Sequence, residues 1–433
     1  MKPMNIHRDI LRIAIPAIVS NITVPLLGLI DVAIVGHLGS AAYIGAIAIG
    51  GMIFNVIYWI FGFLRMGTSG LTSQSLGGRD LAECVRLFIR SFGIGIAVAA
   101  MLMVLQVPIR TLALLVMRPT AEVAALATTY FDICIWGAPA MLGSFAVTGW
   151  FIGMQNSRIP MIVAISQNVI NIIASLLLVF SFGMKVEGVA LGTLIAQYGG
   201  LLIAIALGWR HYGRLRVHYT SSRLWERSSM FLFLRVNRDI FLRTLCLVSV
   251  MLFFTSAGSW QGEQMLAVNT LLMQLYLFFS YFMDGFAYAG EALCGKWYGA
   301  RNTAMLNATV RSVFVWGAAM MLLFTLVYAA GGNLFLRMLT DEADVLSLAG
   351  GYLFWSVILP VAGMAAFVWD GIFIGITATR SMLISMFAAA ASFFAVYHLA
   401  MPAMGNHGLW LAFAVFVFMR GAVLTLLYRF LSF

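Results

Sequence analysis

Long apolar runs, separated by short polar or glycine-bearing breaks, fill the chain from end to end. A membrane-spanning helix needs about 20 mostly apolar residues. The breaks fall near Gly39, Gly78, Arg110 to Thr120, Asn156 to Arg158, Gly183 to Gly188, His211 to Asn237, Gly258 to Gly262, Gly299 to Asn302, Gly331 to Asp344, Thr377 to Arg380 and Gly405 to His407. Eleven breaks predict twelve spans and an all-α integral membrane protein. The sixth break is the longest and carries Arg214, Arg216, Arg223, Arg227 and Arg235. It reads as a linker, residues 211–235, between a first lobe of six helices (1–210) and a second of six (236–433). The first apolar run has no small-residue cleavage site and continues to Gly36, so it reads as a retained helix rather than a signal peptide.

The two lobes repeat each other. Tyr130, Ala140, Phe145, Gly149, Phe151, Ile152, Gly153 and Arg158 recur as Tyr352, Ala362, Phe367, Gly371, Phe373, Ile374, Gly375 and Arg380, an offset of 222 with eight identities in 29 positions. Gly77 and Arg79 recur at the same offset as Gly299 and Arg301. Two segments in one register mark a duplication. An even number of spans per copy returns the chain to its starting side, so the copies are parallel repeats about an axis along the membrane normal. A substrate cleft is expected between the two pseudo-symmetric bundles.

Composition supports the membrane reading. The chain is 62% hydrophobic and 10% charged, against about a quarter charged in soluble domains. The net charge of +10 does not mark a nucleic-acid binder, because the basic residues sit in short connections. On twelve spans the connections facing away from the termini hold Arg110, Arg118, Lys185 and Arg337. Arg65 and Arg420 fall within helices. The remaining 20 of 26 lie on the side of the termini, which predicts cytoplasmic N- and C-termini. The four cysteines form no C-x-x-C pair, and nothing suggests a disulfide or a zinc site. No H-E-x-x-H, G-x-S-x-G or nucleotide-binding loop points to an enzyme.

Acids inside spanning helices are costly and mark functional sites. Asp31 lies five residues before Gly36, roughly 7 Å into its span. In the fifth span Asn168, Asn171 and Ser175 share one helical face. Thr193 lies roughly 7 Å into the sixth. Their carboxylate, amide and hydroxyl oxygens suit a proton or a hard cation. Packing between helices is the plainer role for the small polar groups. Pro16 and Pro25 in the first span are candidate kinks. The second lobe carries Asp284, Glu291, Asp370 and Arg420. They form a possible cation or substrate site, or a neutralising set in which acids pair with Arg420. In the repeat, Asp370 stands at the place of Thr148 and Asp284 at that of Gly62.

The stretches D-V-A-I-V-G-H-L-G (Asp31 to Gly39), F-L-R-M-G-T-S-G-L-T-S-Q-S-L-G (Phe63 to Gly77), D-G-F-A-Y-A-G-E-A (Asp284 to Ala292), G-A-R-N (Gly299 to Asn302) and W-D-G-I-F-I-G (Trp369 to Gly375) resemble the multidrug and toxic compound extrusion (MATE) transporters, most closely the DinF-like subfamily. The resemblance extends to G-N-H-G-L-W-L-A (Gly405 to Ala412). It implies export of amphipathic, often cationic compounds in exchange for protons or Na+ by alternating access. It also implies a monomer in the bacterial inner membrane, with small-molecule substrates and membrane lipids as partners and no cofactor. Asp31, Asn171 and Thr193 match the family's first-lobe cation positions, and Pro16 its kink. Where relatives often carry a second aspartate this chain has Ser175, so the expected coupling ion is H+, with Na+ at Asp31 as the alternative. A lipid-linked oligosaccharide or lipid flippase of the same superfamily is the rival. Gradient-driven drug flux against gradient-independent lipid scrambling separates the two.

Overall fold

The computed structural model describes residues 5–36, 40–219, 224–340 and 342–431. Among these it is helical throughout, with no strand. The helices are α1 (Ile6–Gly36), α2 (Ala41–Phe61), α3 (Phe63–Gly77), α4 (Leu81–Val104), α5 (Gln106–Met117), α6 (Ala121–Cys134), α7 (Ala138–Gly153), α8 (Arg158–Leu176) and α9 (Val186–Tyr212), followed by α10 (Arg227–Ser259), α11 (Glu263–Gly299), α12 (Thr303–Leu339), α13 (Ala343–Gly375), α14 (Thr379–Met404) and α15 (Asn406–Tyr428). Helices α2 with α3, and α6 with α7, each make one span. Eleven described spans are long and apolar enough to cross a membrane, and the 31-residue α1 precedes them. Helices are the solution hydrocarbon imposes, because every backbone polar group is satisfied within the segment. The outward faces are apolar: Leu322, Leu326 and Phe354 are more than half exposed.

Several expected breaks are narrower than the sequence suggested. Arg110 does not end a helix, because its guanidinium pairs with the Asp132 carboxylate and α5 runs on to Met117. Gly331 and Gly332 lie inside α12, where a Cβ at Gly332 would meet the Leu353 side chain at 2.7 Å. That glycine marks a close helix contact, not a break. The long polar connection is partly helical too: Gly213–His218 forms a 3-10 turn, and Arg227 already opens α10. The first expected break, near Gly39, and Arg223 of the linker lie outside the described residues.

The chain resolves into two compact units. One comprises residues 19–231, the other residues 1–18 with 232–433. In the first, α3 and α4 pack on α7, α8 on α9, and α2 on α6. Its core gathers Phe54, Tyr58, Leu64, Phe131 and Leu142. In the second, α13 is the central helix, packed by α11, α12 and α15, while α14 pairs with α15. Helix α1 is one uninterrupted helix through Pro16 and Pro25, and the unit boundary falls inside it, between Ile18 and Val19.

The duplication is written into the backbone. Six residues have positive φ at partner positions 222 apart: Arg79 (59°) and Arg301 (53°), Gln155 (61°) and Thr377 (55°), Gly183 (70°) and Gly405 (56°). Asp80 caps α4 by accepting from the Glu83 amide at 2.8 Å, and Asn302 caps α12 through the Met305 amide at 3.0 Å, again 222 apart. The helix crossings repeat as well. A Cβ at Gly149 would run into the Arg65 carbonyl, and one at Gly371 into the Ala287 carbonyl. One turn on, a Cβ at Gly153 would come within 2.8 Å of the Ser69 carbonyl and one at Gly375 within 2.5 Å of the Glu291 carbonyl. Membrane helices associate through such close backbone packing, because lipid supplies no hydrophobic drive between them.

Candidate functional site

The first unit buries Asp31, Asn171 and Ser175 and joins Asn171 to Thr193. Asp31 is buried, 6% exposed, and its Oδ1 accepts no hydrogen bond. Helices α8 and α9 supply the oxygen groups. The Asn171 amide donates to Thr193 Oγ1 at 3.1 Å, while Asn171 Oδ1 and Ser175 Oγ are buried without hydrogen-bond partners. Glycine at position 192 is what lets α9 close on Ser175, since a Cβ there would collide with its hydroxyl. Tyr130 and Cys134 of α6 are buried in the same unit, and the Cys134 thiol donates to the Ala190 carbonyl of α9 at 3.8 Å. No described basic side chain forms an ion pair with Asp31.

Buried polar groups are normally hydrogen-bonded. Here a carboxylate oxygen, an amide oxygen and a hydroxyl are not, and they come from neighbouring helices of one unit. Such a set has open acceptor sites for a proton or a hard cation. Asn168 does a different job. Its amide donates to the Thr23 carbonyl of α1 at 2.9 Å, which ties α8 to α1. Pro16 is buried in the stretch of α1 that packs on α11, where a Cβ at Gly285 would meet the Ala14 carbonyl at 2.8 Å. Pro25 lies in the other stretch, six residues before Asp31.

The second unit arranges its charges differently. Arg420 of α15 donates to Asp370 Oδ2 at 2.6 Å, and Arg243 of α10 donates to the same oxygen. Both arginines are 4% exposed. Arg420 also lies over the Phe367 and Phe416 rings, at 5.9 and 5.7 Å. Glu291 is buried on α11 and is not part of this triad. Asp370 is therefore a counter-anion for two guanidiniums. The sequence reading found Arg420 and its acid but missed Arg243, which it counted with the basic residues of the linker side. The signal was present: Arg243 lies 16 residues inside the helix that begins at Arg227, too deep for an end residue.

A duplicated helical bundle, apolar on its outside and holding a buried acid among open oxygen acceptors, is the architecture of a membrane carrier rather than an enzyme. The chain belongs to the MatE family: the family's profile matches it twice, over residues 16–177 and 240–399. It is 37% identical to the DNA damage-inducible protein F of Escherichia coli over 96% of this chain and 91% of that protein. The multidrug export protein MepA of Staphylococcus aureus is 23% identical over 46% of this chain and 44% of its own length. Among solved structures, a MATE protein crystallised in the bent conformation superposes with a TM-score of 0.88 at 19% identity, covering 99% of this chain and 95% of that one. The expected MATE fold and DinF-like kinship are thereby found, and the tandem profile match reproduces the duplication.

Proposed function

We propose that the chain is a secondary active exporter of amphipathic, often cationic compounds, driven by cation uptake at Asp31 and working by alternating access. The single observation that carries this is the buried Asp31 carboxylate with its unfilled oxygen neighbours Asn171 and Ser175. A buried carboxylate without a basic partner gains by taking up a proton or a cation. The relatives support the cargo class: MepA is named a multidrug export protein. We read the protein as a monomer of the bacterial inner membrane with both termini cytoplasmic, as the distribution of Lys and Arg favours.

H+ is the favoured coupling ion, because the site offers one carboxylate where a Na+ site would gain from two. One observation favours Na+ as the second reading: the free Asn171 and Ser175 oxygens are ready-made neutral ligands. The second unit is a poor cation site, because two buried guanidiniums already occupy the Asp370 carboxylate. Dye uptake into inverted vesicles, with pH and Na+ gradients imposed separately, tests the reading. Uptake should follow the pH gradient and be lost in Asp31→Asn. Uptake driven by Na+ alone would select the second reading. Dye uptake independent of both gradients would overturn the antiport proposal.

A further inference from the structure

A groove of about 290 Å³ opens in the first unit between α4, α7 and α9, where the Gly213–His218 turn closes it from one end. Its walls are aromatic and dry: Phe88, Trp150, Phe151, Trp209 and Tyr212 line it. Two of the polar groups in those walls are already used. The Trp150 indole N–H donates to the Cys84 carbonyl at 2.8 Å, and the Asn156 amide donates to the Tyr212 hydroxyl at 3.1 Å. Ring faces and hydrocarbon make up most of what remains for an occupant. The groove takes the first turns of α4 and the last turns of α9, so it lies at one end of its helices, at interfacial depth.

The rim has the opposite character. Arg216 lines the groove and stacks over the Trp209 ring at 5.6 Å. Arg210 and Arg214 are exposed beside it, and the stretch from Trp209 to Tyr219 contains no acid. Trp209 and Tyr219 themselves are exposed, 66% and 42%. Aromatic rings with arginines at a helix end are how membrane proteins meet the headgroup layer. An apolar slot under a cationic rim fits an amphipathic anion: chain inside, phosphate outside. A cationic compound would meet the like charge of Arg216 at the rim. A free phosphate would leave the slot empty.

We propose that this groove, with Arg216 at its rim, binds an anionic phospholipid of the leaflet on the linker side, one acyl chain lying against Trp150 and Phe151. The site is separate from Asp31 and stands whether or not Asp31 couples transport.

The test is native mass spectrometry of the full chain, released from detergent after exchange against equal amounts of phosphatidylglycerol and phosphatidylcholine. Wild type should retain phosphatidylglycerol in preference. Arg216→Gln should lower that preference about fivefold, on the basis of one lost charge near the headgroup. Gly208→Leu should remove retention of both lipids: a Cβ there already meets the Phe151 ring at 3.1 Å, so the rest of the leucine must fill the slot. Trp209→Ala, which opens the wall instead, should weaken retention if Gly208→Leu does not fold. Equal retention of the two lipids by wild type would overturn the proposal. So would unchanged retention in a folded Gly208→Leu, or release of the lipid by inorganic phosphate.

Discussion

The two halves of this protein share one backbone and oppose each other in chemistry. At the 222-residue offset, Asp31, Asn171 and Ser175 correspond to Phe253, Phe393 and Tyr397. Those three form an aromatic knot: the Phe253 ring lies 5.9 Å from Phe393 and 4.9 Å from Tyr397. The exchange runs the other way too. Arg243, Asp370 and Arg420 correspond to Asn21, Thr148 and Tyr198. The first copy thus keeps an acid with unfilled oxygen neighbours where the second is packed with rings. The second keeps a charge triad, two guanidiniums on one carboxylate, where the first is neutral. Two guanidiniums hold Asp370, whereas Asp31 Oδ1 holds no hydrogen-bond partner, so the two acids differ in how their charge is met.

The strongest way to break this contrast is at its two acids. Asp31→Asn should abolish gradient-driven export while the protein still folds, because its carboxylate holds no partner in place. Proteoliposome flux beside a size-exclusion profile checks both halves of that statement, and export at the wild-type rate would sink it. Asp370→Ala should instead cost about 3–5 kcal/mol of stability by leaving two buried guanidiniums uncompensated, seen as a large fall in thermal midpoint. Replacing the whole triad with Arg243→Met, Asp370→Leu and Arg420→Met should restore most of that loss, since an apolar trio needs no counter-charge. Failure of the triple variant to recover would mean that Asp370 does more than neutralise.

Smaller changes sharpen the shared backbone. Gly149→Ala and Gly371→Ala should each destabilise by about 1–3 kcal/mol through overpacking, and by similar amounts, because both meet a backbone carbonyl at equivalent crossings. A clear difference in their thermal midpoints would show that the crossings have diverged along with the chemistry. The mildest effect should come from Thr377, a β-branched residue held at φ 55°. Thr377→Gly should raise stability by about 1 kcal/mol, more than Gln155→Gly at the partner turn.

The span count and the duplication were legible because each leaves a one-dimensional mark: run length or register. The continuation of α5 and α12 was not, because it depends on partners distant in sequence. Arg110 looked like a helix end until Asp132 was seen to neutralise it, and Gly332 looked like a break until Leu353 filled the space beside it. Arg243 was hidden by its company, one more arginine after a basic linker. Asn168 shared the helical face of Asn171, yet its amide had a nearer use on the Thr23 carbonyl. Spacing assigns a residue to a face; only packing decides which neighbour it serves.

The glycine crossings carry a mechanical consequence. Where α3 meets α7, at Gly149, and α11 meets α13, at Gly371, the glycine sets backbone against a backbone carbonyl with no room for a Cβ. Each crossed pair is a strut without slack. Such close crossings leave little room for the two helices to slide past each other, so each pair is expected to move as one piece.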